Sequence, residues 1–205
     1  MAAVSAETVR ANLAAVRDRV GAAAARAGRD ASEVEVLVAV KYVGVTLVGE
    51  NRAQDLIDKV AHAPGRLRWH FIGALQSRKV KTIVAHVELI HSVASDSVLR
   101  ELGRHAPPGF QILVEVNVSG EPGKSGIAPA ELDSFIERSP VAVVGLMTMP
   151  PLAADPQDSR PHFAALARLA RERGLAVLSM GTSQDFEVAV EEGATIVRIG
   201  TTILG

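Results

Sequence analysis

The sequence predicts an α/β chain folded as a single (β/α)8 barrel of the TIM type. Eight short apolar runs rich in β-branched residues are nearly continuous rather than alternating, which reads as strands buried on both faces. Helical segments lie between most of them. A length of 205 residues sits at the low end of the range of about 200 to 400 that such a barrel occupies. An open, doubly wound sheet shares the alternation, but the count of eight favours the barrel, with one extra helix at the N-terminus.

The N-terminal helix is the clearest element. Val9, Leu13, Val16 and Val20 recur at helical spacing among Arg10, Arg17, Asp18 and Arg19, with Ser5 as a cap and Gly28 as a stop. The strands follow as EVLVAVK (35–41), VTLVG (45–49), WHFIG (69–73), ELIHSV (88–93), QILVEVNV (111–118), VAVVGLMT (141–148), AVLSMG (176–181) and TIVRIG (195–200). Between them, Ala53, Leu56, Ile57 and Val60 share one face of NRAQDLIDKV, and QSRKVKTIVAHV follows the third strand. SDSVLRELGRH opens on a capping arrangement of Ser95 and Val98, and PAELDSFIERS carries Pro129 in its first turn with Phe135 and Ile136 facing inward. The helices PHFAALARLARERG and SQDFEVAVEEG end at Gly174 and Gly193. PPLAADPQDSRP (150–161) reads as a long loop after strand six, so residues 1–205 form one domain.

One connection does not fit. Between 35–41 and 45–49 stand only Tyr42, Val43 and Gly44, which span roughly 10 Å at most. A strand is about 17–20 Å long and a parallel crossover takes about a dozen residues. Either the two runs form a hairpin, or the helix that should join them is missing or disordered at 43/44. The second is expected.

Composition excludes several classes. With 48% hydrophobic and 22% charged residues and a net charge of −1, the chain is not intrinsically disordered. Its 22 Lys+Arg against 23 Asp+Glu leave no excess to neutralise phosphates, so no nucleic-acid partner is expected. No apolar run approaches the length of about 20 residues needed to span a membrane, and the charged, periodic N-terminus is unlike a signal peptide. The absence of cysteine removes disulfides, thiolate metal sites and a Cys nucleophile. A cytoplasmic monomer is expected, since aromatics are few and no apolar seam stands out.

Barrels place their chemistry at the C-terminal ends of their strands. Lys41 ends an otherwise apolar strand; it is either a side chain snorkelling to solvent or a desolvated amine suited to a Schiff base with a carbonyl. Gly181-Thr182-Ser183 and Gly200-Thr201-Thr202 end strands seven and eight, the usual phosphate-binding pair of loops, with a helix start at Gln184 offering free N–H groups. Each could equally be a turn and cap. Arg198 adds a cation or a structural ion pair. Asn51 could donate to a ligand or cap the next helix. Lys124, in the Gly-rich turn SGEPGKSG (119–126), reads as a mobile basic loop at the same mouth. His70 and His91 have no second His or carboxylate at ligand spacing and read as core histidines, so no metal is expected. No GxSxG, Walker or GxGxxG motif is present.

Together the segments AVKYV, VGENRAQ, WHFIGALQSRKVK, IHSV, VNVSGEPGKSGI, GLMTMPP and LSMGTSQDFEVAVEEGATIVRIGT resemble the pyridoxal phosphate homeostasis protein family, from about residue 8 to 205. The resemblance implies an alanine racemase-like barrel and pyridoxal 5′-phosphate held as an aldimine on Lys41. It also implies that Thr182, Ser183, Gly200 and Thr201 hold the phosphate, that Asn51 lies near the ring hydroxyl, and that Arg198 lies near the ring nitrogen or the phosphate. Two departures stand out: Val40 occupies a position commonly Ser or Thr, and the helix after the lysine strand is lacking.

Three readings compete. A carrier buffers pyridoxal phosphate and delivers it by transient contact with apo-enzymes. A weak amino-acid racemase or transaminase would need a second base, and the one tyrosine, Tyr42, adjoins Lys41 in sequence. A barrel acting on another phosphorylated metabolite would need an acid–base pair, and Glu50 is the one carboxylate seen at a strand end near the site. The chain also runs out at strand eight, without a second domain to close over a substrate. The non-catalytic carrier is favoured, with the weak enzyme as the alternative.

Overall fold

A computed structural model of the chain describes residues 5–39, 45–63 and 67–204. Eight parallel strands close into a barrel in chain order. They are β1 (Glu35–Val38), β2 (Leu47–Glu50), β3 (Arg68–Phe71), β4 (Leu89–Val93), β5 (Gln111–Glu115), β6 (Ala142–Met147), β7 (Val177–Thr182) and β8 (Ile196–Ile199), with β8 pairing back onto β1. The barrel is therefore the arrangement formed, and the open sheet is not.

The helices are α1 (Ala6–Arg26), α2 (Ala53–His62), α3 (Val80–Ile83), α4 (Asp96–His105), α5 (Leu132–Glu137), α6 (Arg160–Glu172), α7 (Phe186–Glu191) and α8 (Thr201–Leu204). Their termini follow local chemistry. Ser5 accepts from the Thr8 amide at the start of α1, and Ser95 accepts from the Val98 amide at the start of α4, each satisfying a donor the helix leaves open. Val9, Leu13, Val16, Val20, Ala23 and Ala24 bury one face of α1, which packs on α7 and α8. Arg19 and Arg26 reach Glu187 and Glu191 across that contact. These pairs are half exposed and worth little beside the apolar stripe, in which each buried Val or Leu contributes about 1.5–3 kcal/mol.

Two hydrophobic layers form. The larger lies between strands and helices, while Leu37, Leu47, Leu89, Leu113, Met147 and Ile196 fill the barrel interior. Side chains alternate along a strand, so the residue two beyond an interior leucine or isoleucine also faces the axis. That rule places His91 after Leu89, Glu115 after Leu113 and Arg198 after Ile196, and all three are buried. Polar groups therefore occupy the barrel above its apolar floor.

Val38 pairs with Val48 in parallel, so β1 and β2 are not a hairpin. Both strands are shorter than the apolar runs suggested, which leaves residues 39–46 as the connection. Eight residues reach roughly 27 Å, and the strict geometric impossibility disappears. The connection is still shorter than the dozen or so residues usual for a parallel crossover. The 43/44 junction itself lies outside the described residues. At the start of β1 and β2, Arg17 and Val20 of α1 with Val36, Thr46 and Leu47 line a cleft of about 400 Å³.

Candidate functional site

The ends of β7 and β8 form a cup of hydrogen-bond donors. Gly181 has φ 89°, and a Cβ there would stand 2.6 Å from Ala189 Cβ and 2.9 Å from Phe186 Cα. Glycine alone lets β7 turn so closely onto α7. Beyond the turn, Ser183 Oγ accepts from the amides of Gly200 at 3.2 Å and Thr202 at 3.4 Å. An oxygen held by two main-chain N–H groups at these two strand ends is the kind of acceptor a phosphoryl group also supplies.

The neighbouring residues are partly committed. The Thr182 amide and Oγ1 donate to Asp185 Oδ1 at 2.7 and 3.1 Å, and Ser159 donates to Asp185 Oδ2 at 2.9 Å. Asp185 thereby ties the loop before α6 to the end of β7. It is also the cap position of α7, which starts at Phe186 rather than at Gln184. Thr201 is exposed at the start of α8. A Cβ on Gly200 would meet Ala39 Cβ at an ordinary 3.6 Å, so sterics do not demand glycine there.

Lys41 and Val40 lie outside the described residues. The last described position before them, Ala39, donates its amide to Ile199 O at 2.9 Å, which ties the approach to Lys41 to the end of β8.

Asn51 is exposed and is not the cap of α2; Arg52 holds that position without a side-chain bond. Glu50 holds the turn that precedes it. Its buried carboxylate accepts from the Asn51 amide at 2.8 Å and the Arg52 amide at 2.9 Å, and it pairs with Lys59. Glu50 is thus fully engaged in shaping the turn and is not a free base. The turn is also pressed from β3: a Cβ on Gly73 would lie 2.0 Å from Asn51 O. Gly73→Ala is expected to destabilise the fold by about 3 kcal/mol, read from urea unfolding, because backbone rather than a flexible side chain must give way.

Arg198 stands in the barrel below the cup. Nη1 donates to Ser179 O at 2.8 Å and Ser179 Oγ at 2.7 Å, and Nη2 donates to Thr148 O at 3.0 Å and Met149 Sδ at 2.8 Å. Four of its five N–H groups are taken, none by a carboxylate, so the ion-pair reading does not hold among the described residues. The Nε–H has no acceptor among them. Burial pushes the guanidinium down to about 10, against the pull of Asp185 and Glu115, and it remains cationic at neutral pH. Lys124 pairs with Glu121 at 3.1 Å and reaches Met149 O at 3.5 Å, which brings the Gly-rich turn to within one residue of Arg198's sulfur contact.

His70 and His91 are core histidines, but they are joined. His70 Nδ1 and His91 Nε2 lie 2.9 Å apart, and His91 Nδ1 lies 2.8 Å from Ser179 Oγ. Burial, then Arg68, lowers His70 to about 4; burial, then His70 and Arg198, holds His91 well below its usual value. Among the described residues, no group of three or more metal-ligating side chains is present.

Residues 4–205 match the family model described as alanine racemase, N-terminal domain. A pyridoxal phosphate homeostasis protein of Aquifex aeolicus is 41% identical over an alignment covering 94% of this chain and 96% of that protein. The chain belongs to the pyridoxal phosphate homeostasis protein family. Among solved structures, an unknown protein from Bifidobacterium adolescentis has a TM-score of 0.82 at 30% identity, over 97% of this chain and 95% of that one. PipY of Synechococcus elongatus with PLP bound has a TM-score of 0.73 at 30% identity, over 93% of this chain and 100% of that one.

Within this family fold the structure brings Thr182, Ser183, Arg198, Gly200 and Thr201 to one end of β7 and β8, with Asn51 at the same end of β2. Sequence reasoning missed Glu115, a buried carboxylate at the end of β5 whose pKa burial raises against the opposing effect of Arg198. The signal was available: Glu115 is a lone carboxylate within an otherwise mostly apolar run. The apolar residues of VNV beyond it disguised the strand end. Asp185 and Ser179 carried no comparable signal.

Proposed function

We propose that this chain binds pyridoxal 5′-phosphate and acts as a carrier that stores and delivers it without efficient turnover. The observation that carries the reading is the donor cup of Ser183, Gly200 and Thr202 above a buried, cationic Arg198, in a chain of this family. The donor set fits an anionic group attached to a ring. Ser183, Gly200, Thr201 and the amide of Thr202 hold the phosphate, Thr182 shapes the loop through Asp185, Arg198 offers Nε–H to the ring, and Asn51 stands near the ring hydroxyl. When bound, the cofactor would supply an aldehyde, and the Lys41 amine is the group that would hold it, as a Schiff base formed with release of one water. Lys41 gives the hold its covalent part, and the phosphate cup gives it orientation.

The shortened β1–β2 connection belongs to the same reading. The alignment with the Aquifex relative runs over 218 positions, more than the 205 residues of this chain. That excess means gaps on this chain's side of the alignment, and the short β1–β2 connection is where this reading puts a crossover helix shortened or lost, around 43/44.

Glu115 favours a second reading, weak racemase or transaminase activity, because it supplies a buried carboxylate near Arg198 that could serve as a second acid–base group. One comparison decides. Loaded protein mixed with an apo pyridoxal phosphate enzyme is expected to restore that enzyme's activity, while chiral assays on free amino acids show no more than trace racemisation. Racemisation at enzyme-like rates overturns the carrier.

A further inference from the structure

The deepest polar feature of the molecule is a file of side chains along the barrel axis. It starts at Arg198, passes through Ser179 Oγ and His91, and ends at His70. At its far end His70 lines a cleft with Glu35, Arg68, Glu88 and Gln111, all at the N-terminal rim of the strands. The file thus connects the cup end of the barrel to the opposite end.

Its direction follows from donor chemistry. A guanidinium only donates, so Ser179 Oγ accepts from Arg198. Among the described residues the hydroxyl proton then has one acceptor in reach, His91 Nδ1 at 2.8 Å. A neutral His91 that accepts at Nδ1 carries its proton on Nε2, and donates it to His70 Nδ1 at 2.9 Å. His70 is then protonated on Nε2, facing the N-terminal cleft. The reverse order fails: His91 Nδ1–H and Arg198 would both donate to Ser179 Oγ, and the hydroxyl proton would have no acceptor among the described residues.

We propose that His91 and His70 are positioning residues for Arg198, forming with Ser179 a one-way hydrogen-bond file that holds both imidazoles as the neutral Nε2–H tautomer and keeps Ser179 Oγ turned to accept from the guanidinium. Without His91 the Ser179 hydroxyl loses the acceptor for its proton and is free to turn that proton toward Arg198. The guanidinium then loses one of the contacts that fix its plane. The consequence for the cofactor rests on the function proposed above; the file itself does not.

The test has three arms. Nitrogen-15 NMR of the protein prepared without pyridoxal phosphate is expected to show His70 and His91 both protonated at Nε2 and bare at Nδ1; a proton on Nδ1 of either one overturns the file. In the same samples, the Arg198 Nη signals are expected to be resolved and slow to rotate, and to average in His91→Leu but not in His91→Gln, whose amide can both accept from Ser179 and donate to His70. Equal behaviour of the two variants overturns the positioning role. Finally, His91→Leu is expected to weaken pyridoxal phosphate binding about tenfold and to shift its absorption band, the scale of one buried hydrogen bond lost, while His91→Gln stays within about twofold of the unmutated protein. Leucine and glutamine variants that bind alike overturn the link to the cofactor. Should the unmutated protein bind no pyridoxal phosphate, the proposed function falls, and the two NMR arms still decide the file.

Discussion

Lys41→Ala is expected to abolish the yellow colour of protein loaded with pyridoxal phosphate, and with it the absorbance that borohydride reduction collapses. On the proposed reading the effect is all-or-none, because the colour would depend on a covalent nitrogen–carbon bond for which alanine has no substitute. The other lysines near the mouth are otherwise engaged: Lys59 pairs with Glu50, and Lys124 with Glu121. Lys124 is the informative control, since its Nζ reaches Met149, which also contacts Arg198. Lys124→Ala should keep the colour. Persistence of the unchanged spectrum in Lys41→Ala, with loss in Lys124→Ala, would transfer the covalent role to the Gly-rich turn.

The second large effect concerns acid. His70 falls from 6.5 to about 4 in the fold, and His91 is also held well below its usual value, both chiefly through burial. The unfolded chain therefore binds more protons than the folded one as pH falls below 6.5, and stability declines with falling pH. His70 alone accounts for a loss on the order of 3 kcal/mol, complete once the pH is below its folded value, and His91, lowered in the same direction, adds to the decline. Glu115 works the other way: its raised pKa favours the fold while protonated, and that contribution is lost as pH rises through its folded value. Urea unfolding across this range should show uptake of about two protons per molecule from the histidines near pH 5. His70→Gln should reduce the slope by one proton. A stability profile flat between pH 6.5 and 4 would show that the imidazoles are not held neutral.

How much of this could be read from residues alone depends on range. The barrel was legible because parallel strands covered on both faces leave continuous apolar runs, and Leu89, Leu113 and Ile196 each sit within one. Strand ends were less legible, because apolar residues continue past the last ladder pair. That hid Glu115 inside QILVEVNV, and it exaggerated the conflict between β1 and β2. Lys41 stood out because a lysine closing an apolar run is rare. Asn51 looked like a helix cap because the type is right, but α2 starts one residue later, with Arg52 at the cap position after a turn held by the buried Glu50. The contact of His70 with His91, and of both with Ser179 and Arg198, exists only once the barrel closes, and no local spacing announces it.

The pairing of β1 with β8 has one more consequence. Of all the strand neighbours, these two are the farthest apart along the chain, Glu35 beside Ile196, so joining them closes the longest loop and carries the largest entropic cost of any ladder. The barrel is in effect a ribbon buttoned along one seam, and Ala39 and Ile199 form the last button described. In sequence, Lys41 follows Ala39 by two residues and Gly200 follows Ile199. A cofactor gripped by residues of both strands, as proposed, would act as a clasp across the join that costs the chain most to close.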